Sequence, residues 1–473
     1  MRFIYRVKQF ILILSDLFGY TIGLWIALLL RRLTIPSGEY FSIHFRIFFI
    51  IFIFWIIINY INGLYDLVRV KNTKESYRRL LEAGLLSLLV GVIFFYLIPV
   101  QTISGNKIQV GQLSPKTILL LNALLGYSIA CLFRYFYNIL IGEKKLKTNV
   151  LFIGCTPEVT ELIQILKQQA GKGYRAKAIV DGTNCEKDES LKDVDIYQNL
   201  KTIRPAITNH DIGLVVISPH LKQNSEVLTE LYELLFWPVQ MVDLASFYEL
   251  ITGRIPPSTF SESWFLDHLR NQEQPLYNKL REIMDIVSGI ILGLFFIVLF
   301  VPIALAIKIS STGPIFFIQK RVGKFGKPFK IYKFRSMFAL SADGSAEVNG
   351  AEFAKKKDVR KTSVGKILRM LRLDELPQFL NLLKRDITLI GPRPERPEIV
   401  ETLTERMPYY PLRHIIRPGL TGWAVLHQNY SDTLETTLQK LQYDLYYIKN
   451  RSIILDISII LKTVNVVIRL KGQ

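Results

Sequence analysis

Apolar positions change their spacing three times along this chain, and each spacing predicts a different architecture. Up to residue 141 they form four near-continuous runs, Gln9–Leu30, Phe45–Ile61, Leu80–Val100 and Ile118–Ile141, each close to the ~20 residues a helix needs to cross a bilayer. Between about 148 and 250 the runs shorten to strand length, at Val150–Ile153, Ala176–Asp181, Ile212–Ile217 and Val239–Val242, with helical patterns between them. That alternation predicts a parallel sheet flanked by helices. A stretch at 251–278 carrying Pro256, Pro257 and Pro275 reads as a linker, and a fifth long run, Asp285–Lys308, follows it. As a straight helix this run would measure about 36 Å. The chain therefore reads as a membrane protein of α plus α/β class. Its expected parts are a four-helix transmembrane bundle over 1–145, a Rossmann-like parallel-sheet domain over 146–250, the linker, and a third domain over 279–473 whose membrane helix covers 282–308.

Charge gives the bundle an orientation. Arg2, Arg6 and Lys8 precede the first run, Arg69, Lys71, Lys74, Arg78 and Arg79 lie between the second and third, and Lys144, Lys145 and Lys147 follow the fourth. The loop at 101–117 carries only Lys107 and Lys116. This asymmetry places both ends of the bundle in the cytoplasm; Arg31, Arg32 and Arg46 fit that orientation less well. Asp16 and Glu82 fall inside spans, as a polar site in the bundle or as contacts between helices or near an interface. In the fifth run Pro302 removes a helix hydrogen bond and kinks the chain. Two topologies fit: a kinked crossing, which would put everything after it outside, or a helix that breaks at Pro302 and returns to the same face.

Composition narrows the partners. Half the residues are apolar, and 59 Lys+Arg stand against 40 Asp+Glu, which excludes a disordered chain and leaves membrane surface, nucleic acid or phosphorylated substrate as partners. Cys131, Cys155 and Cys185 show neither metal nor disulfide spacing, so a reduced setting is expected. The first apolar run is too long for a secretory signal. In the sheet domain, Gly154-Cys155-Thr156-Pro157 follows the first strand and Asp181 lies where a ribose-binding acid would fall. GxGxxG is absent and Glu158 stands where phosphate would sit. The expectation is a structural domain with no NAD.

The chemistry concentrates in Gly365–Pro397, GKILRMLRLDELPQFLNLLKRDITLIGPRPERP. Asp374 and Glu375 are adjacent carboxylates preceded by Arg369 and Arg372. Leu376, Phe379, Leu380 and Leu383 follow helical spacing, and Pro377 suits only a first turn. The acids thus sit at or just before a helix start, where they either cap it or face one pocket. The segment Gly391–Pro397 stiffens Arg393 with three prolines, and arginine's planar fork suits phosphate; a rigid surface turn is the alternative. Phe329–Met337 alternates as a strand, with Lys333 and Arg335 expected on one face, and Arg417 opens a further turn, RPGLTGW. Paired acids among cations suit metal-assisted chemistry on a phosphorylated substrate. Asp358, Arg360, Glu395, Asp444, Arg451 and Asp456 are weaker candidates. In the tail, Ile453, Ile457, Ile460, Leu461 and Val464 share a helix face, which lies in the membrane interface or packs on the domain.

Taken together, KLREIMDIV, the apolar helix with Pro302, GPIFFIQKRVGKFGKPFKIYKFRSM, the acid-bearing segment, RPGLTGWA and KLQYDLYYIKNRSIILDISIILKTV resemble the bacterial sugar transferases, the polyprenyl-phosphate glycosylphosphotransferases. The resemblance covers about 275–473 densely, and the layout resembles the large subgroup with four N-terminal transmembrane helices. It implies a monotopic α/β catalytic domain with a re-entrant helix broken at Pro302. It also implies transfer of a sugar 1-phosphate from a UDP-sugar to undecaprenyl phosphate, releasing UMP, as the initiating step of exopolysaccharide, capsule or O-antigen synthesis. Asp374 matches the covalent nucleophile, Glu375 the acid associated with Mg²⁺ (or Mn²⁺), and Arg369 and Arg393 phosphate-holding positions. By the same resemblance the chain sits in the bacterial inner membrane as a multi-pass protein with its catalytic domain on the cytoplasmic face. A homodimer is compatible; nucleic acid is not a partner. Arg281-Glu282 stands where two cations are common, and Val301 stands where some members carry serine. Two rivals are a non-catalytic scaffold of polysaccharide assembly, which predicts a degraded acid pair, and a membrane-anchored nucleotide-sugar dehydratase, which needs the missing glycine fingerprint.

Overall fold

The computed structural model describes residues 2–65, 74–97, 115–142, 147–168, 173–181, 191–223, 225–269, 274–339, 360–428 and 433–468. Two compact units divide the chain at 251/252. In the first, four helices match the four apolar runs: α1 (Arg2–Arg32), α2 (Gly38–Ile61), α3 (Lys74–Leu97) and α4 (Pro115–Gly142). The windows Gln9–Arg32, Gly38–Ile61 and Thr117–Tyr137 are long and apolar enough to cross a membrane; α3 is also 24 residues long and carries Arg78, Arg79 and Glu82 near its start. Tyr20, Leu24, Phe48, Phe52, Trp55 and Leu119 fill the bundle core. Asp16 is not an open polar site. It is fully buried and takes both arms of Arg134 from α4, one at 2.7 Å. Asn59 and Tyr65 donate to the same carboxylate at 3.0 and 2.7 Å. Glu82 pairs with Arg78 one turn before it at 3.0 Å.

The same unit holds a five-stranded sheet in the order β3-β2-β1-β4-β5, all pairings parallel. Its strands are β1 (Thr148–Ile153), β2 (Tyr174–Val180), β3 (Asp195–Tyr197), β4 (Ile212–Ile217) and β5 (Gln240–Asp243). Helices α5 (Pro157–Gln168), α6 (Ile203–His210), α7 (Ser225–Leu234) and α8 (Leu244–Thr252) connect or follow them. Alternate side chains of β1 feed two cores, Val150 and Phe152 on one face, Leu151 and Ile153 on the other, as a doubly covered sheet requires. Four of the strands match the apolar runs; β3 is too short to leave such a signal. After β1, the Cys155 N–H donates to the Asp181 carboxylate at 2.8 Å, so the chain's own acid takes a donor that a phosphate would use. Cys155 is disulfide-bonded, which corrects the expectation of no disulfide; Cys131 is free.

The second unit begins inside the expected linker. Helix α9 (Glu262–Leu269) follows a 3-10 turn at Pro257–Thr259, and Ile255, Phe265 and Leu269 are buried with Tyr410, Leu441, Leu445 and Ile448. This stretch is part of the domain, because its apolar residues complete that core. Helix α10 (Pro275–Ser310) starts earlier than expected and stays helical through Pro302. One of its faces packs on the domain: Asp285, Gly289, Gly293, Ile303, Ala304 and Ile307 are buried. Its other face leaves Ile290, Leu294, Ile297, Val298, Val301 and Leu305 exposed. Strands β6 (Phe316–Val322) and β7 (Pro328–Phe334) form an antiparallel hairpin. Helix α11 (Ser363–Met370), a 3-10 turn at Leu373–Gln378 and α12 (Phe379–Leu383) follow. Next come β8 (Thr388–Ile390), α13 (Pro397–Arg406), a 3-10 turn at Tyr410–Ile415 and β9 (Gly419–Thr421), which pairs parallel with β8. The chain closes with α14 (Trp423–His427), α15 (Leu434–Asn450) and α16 (Ile453–Ile468). The tail helix packs on the domain through one face and leaves an apolar face exposed. Asp456 and Ile459 point inward and Thr463 bonds Thr421 at 2.8 Å, while Ile453, Ile454 and Ile457 stay exposed.

Candidate active site

Thr362 caps α11 by accepting the Gly365 N–H at 2.9 Å. The helix ends at Leu371, and Arg372 takes a left-handed φ of 54°, a conformation uncommon for a non-glycine residue and typical of functional turns. The chain re-enters as the 3-10 turn with Asp374 and Glu375 in its first turn and Pro377 behind them, one turn before α12. Both acids are buried, at 7% and 8% exposure, so they are not a solvent-facing cap.

Three segments converge on Glu375. Lys333 Nζ, from the end of β7, donates to Oε1 at 2.9 Å. Arg393 Nη2, from the proline-stiffened loop, donates to the same oxygen at 2.9 Å. Arg372 Nη1 lies 3.7 Å from Oε2. Burial alone would raise this carboxyl, but Lys333, Arg393 and Arg372 outweigh it and hold it well below the usual carboxylate range. Asp374 goes the other way. Burial and then the neighbouring Glu375 charge push it up to about 6, against the pull of Lys333, Arg369 and Arg393. Adjacent carboxylates driven apart in this way are suited to different roles. Glu375 is a fixed anion clamped by cations, and Asp374 is an acid poised to ionise near neutral pH.

Arg369 donates from Nε to Ser336 Oγ at 2.8 Å and is among the cations that act on Asp374. Arg335 does not join this site. Its guanidinium donates to the Ser311 and Thr312 carbonyls at the end of α10. The strand stops at Phe334, so alternation no longer sets its direction, and the terminal carbonyls of a helix need donors. Arg417 lies 4.0 Å from Glu282 at the start of α10, not at the acids. The described weaker candidates have other partners than the acid pair. Glu395 pairs with Lys440 at 2.6 Å, Asp444 with Arg413 at 2.7 Å, and Asp456 accepts from Tyr277 and Tyr447 at 2.9 and 2.8 Å. The Arg451 Nε donates to the Ile448 carbonyl at 3.2 Å, and the Arg360 carbonyl accepts the Phe338 N–H. Asp358 lies outside the described residues.

Sequence reasoning missed two supports. Asn381 ties α12 to β7, donating to the Lys330 carbonyl at 2.7 Å and accepting the Tyr332 N–H at 3.3 Å. Asp285 accepts Thr388 Oγ1 at 2.8 Å and the Leu389 N–H at 2.8 Å, docking α10 on β8. A lone acid at the start of the long apolar run was the signal for Asp285. Arg281 turns inward as well, donating to Thr388 Oγ1 at 3.2 Å and to the Ile390 carbonyl, which accounts for a cation there that is not offered to headgroups.

Among the described residues no three His, Cys, Asp or Glu side chains gather to cage a metal. A pair of adjacent carboxylates suits Mg²⁺, which typically takes one or two carboxylates and completes its shell with substrate phosphates and water. Two adjacent carboxylates are a donor set of that kind.

Fold and site together define a membrane-helix-bearing α/β protein with a buried acid pair beneath a cationic, phosphate-suited loop. The family described as bacterial sugar transferase matches residues 276–470. A UDP-glucose:undecaprenyl-phosphate glucose-1-phosphate transferase of Klebsiella pneumoniae is 32% identical over 324 residues, 67% of each chain. A UDP-N-acetylgalactosamine-undecaprenyl-phosphate N-acetylgalactosaminephosphotransferase of Aeromonas hydrophila is 42% identical over 226 residues, 46% of this chain and 50% of the relative. An Escherichia coli (strain K12) relative, also a UDP-glucose:undecaprenyl-phosphate glucose-1-phosphate transferase, is 40% identical over 187 residues, 39% of each chain. The chain belongs to the bacterial sugar transferase family. Its matched stretch spans half the length of the Aeromonas relative.

Proposed function

We propose that this chain moves a sugar 1-phosphate from a UDP-sugar to undecaprenyl phosphate at the cytoplasmic face of a bacterial inner membrane, as the initiating step in assembly of a lipid-linked polysaccharide. The observation that carries the reading is the split acid pair: Glu375 clamped by Lys333 and Arg393, and Asp374 beside it titrating near 6. In the first step an ionised Asp374 oxygen attacks the phosphorus that bears the sugar. The Asp–phosphorus bond forms, the bridging oxygen–phosphorus bond of the diphosphate breaks, and UMP leaves with that electron pair. In the second, a phosphate oxygen of the lipid attacks the same phosphorus and restores Asp374, giving undecaprenyl-diphosphate-sugar. Arg393 and Lys333 lie close enough to the acids to meet diphosphate oxygens, and Arg369 adds positive charge near Asp374. Mg²⁺, or Mn²⁺, held by Glu375 and Asp374 together with the diphosphate would neutralise phosphate charge as the bridging bond breaks.

The packing of α10 supports the same-face topology. Asp285 near one end and Ile303 and Ile307 near the other both pack on the catalytic unit, with Phe296 and Phe300 against Phe316 and Phe334 between them. A helix docked along its length on one body, with its opposite face apolar, fits partial immersion in a single leaflet better than an isolated crossing.

The test uses full-length protein in detergent with undecaprenyl phosphate, Mg²⁺ and a panel of UDP-sugars that includes UDP-glucose and UDP-N-acetylgalactosamine. UMP release is expected with at least one donor. Asp374→Asn should lower kcat by on the order of 10⁴-fold or more, as loss of a covalent nucleophile does, and should abolish ³²P-phosphosugar labelling of the protein. UMP release that survives the substitution removes Asp374 as nucleophile. No UMP from any donor would favour a scaffold role.

A further inference from the structure

The loop that presents Arg393 has almost no hydrogen-bonding ladder of its own, because Pro392 and Pro394 have no N–H to give. Its four consecutive carbonyls are nonetheless all occupied. Pro392 accepts the Gly419 N–H at 2.8 Å and Glu395 accepts the Val322 N–H at 2.9 Å. The two carbonyls between them are taken by arginine side chains, Arg393 by Arg413 Nη2 at 3.0 Å and Pro394 by Arg321 Nη1 at 3.2 Å. Arg413 is 1% exposed and is itself fixed on three sides. Its Nε and Nη2 donate to Asp444 at 3.1 and 2.7 Å, and Nη1 donates to the Tyr410 hydroxyl at 2.7 Å. One turn before Asp444 on α15, Lys440 reaches Glu395 at 2.6 Å. Helix α15 therefore grips the loop through two ion pairs, one on either side of Pro394. Neither touches the acid pair, yet both fix the backbone from which Arg393 reaches Glu375.

We infer that Arg413, held by Asp444, and Lys440, held on Glu395, are positioning residues that keep the Arg393 guanidinium on Glu375. A lysine at 413 would keep the charge but could not span Asp444, Tyr410 and the Arg393 carbonyl, because its donors radiate from one nitrogen. The consequence for catalysis rests on the transferase reading above; the placement of Arg393 does not.

The experiment compares wild type, Arg413→Lys, Arg393→Gln and the double variant as full-length protein in detergent, with thermal unfolding to show that each is folded. Phenylglyoxal modification of Arg393, followed by peptide mass spectrometry, reads placement without any turnover. It should speed up several-fold in Arg413→Lys, and an unchanged rate in a folded variant overturns the inference. UMP release provides the second arm. Arg413→Lys should lose about 10²-fold in kcat, the scale of an ångström's misplacement, with a smaller change in KM. The double variant should be no slower than Arg393→Gln alone; additive losses overturn the inference. If Arg413→Lys does not fold, Lys440→Gln is read by the same labelling, with faster modification supporting the inference and an unchanged rate refuting it. If wild type releases no UMP, the transferase reading falls and the labelling alone decides the positioning role.

Discussion

At the residue scale the site is governed by how unequally two neighbours share the same cations. Glu375 takes direct bonds from Lys333 and Arg393, and Asp374 takes mainly burial and the repulsion of that fixed charge. On the proposed mechanism only the ionised form of Asp374 attacks, so kcat/KM for UMP release in the free enzyme should carry an acid limb near pH 6, falling about tenfold per pH unit below it. Assays from pH 5 to 8 check this, and a profile flat down to pH 5 contradicts it. The linked effect on folding has opposite signs for the two acids. Asp374 sits above its ordinary value, so the folded state holds its proton more tightly, and stability is lost as pH rises from the ordinary carboxylate range toward 6. Glu375 sits below its ordinary value, so its contribution is present above that range and is lost as pH falls. The sequence marked Lys333 and Arg393 as candidate phosphate cations. That they clamp Glu375 was not legible there, because they lie 42 and 18 residues from it.

At the element scale the acid pair depends on α10 lying close beneath α12. Gly289 permits that approach: a Cβ there would fall 2.9 Å from Leu383 Cδ2, and one at Gly293 would fall 3.2 Å from Phe379. Gly289→Leu should therefore overpack the contact and cost about 1–3 kcal/mol, seen as a lower thermal midpoint of the detergent-solubilised protein together with reduced activity. An unchanged midpoint would mean that α10 does not dock there. The helical spacing of Leu376, Phe379, Leu380 and Leu383 located this region correctly. It did not distinguish a 3-10 turn followed by α12 from one continuous helix, because Pro377 is compatible with either start. The stretch at 251–278 looked like a linker because its prolines hide a short helix. Phe265 and Leu269 reveal themselves as core only when α15 is packed against them.

At the scale of the whole molecule, the chain sets apolar helices beside two different α/β architectures. The first unit resolves the intramembrane Asp16 as the partner of Arg134, 118 residues away; a buried charge is tolerable there only because it is paired and hydrogen-bonded. In the second unit, topology is the open physical quantity. If α10 enters and leaves on one face, cysteines at two exposed flanking positions, Lys279→Cys and Thr312→Cys, should react with a membrane-impermeant maleimide from the same side. The assay uses inside-out and right-side-out vesicles in a Cys131→Ser background. Labelling from opposite sides would establish a crossing and contradict the re-entrant arrangement.

The sequence by itself determined the inventory: four apolar helices, a strand–helix alternation, a long helix bearing Pro302, and a segment rich in acids and arginines. Those properties are periodic or local, and periodicity is written directly in the order of residues. Tertiary structure decided the allocation. It sent Arg335 to the end of α10 and Arg393 to Glu375, made Glu395 and Asp444 anchors of a loop, and joined Cys155 in a disulfide. Ion pairs form by distance in space between segments far apart in the chain, and burial sets the field in which each acid titrates. Neither quantity exists until the chain has packed.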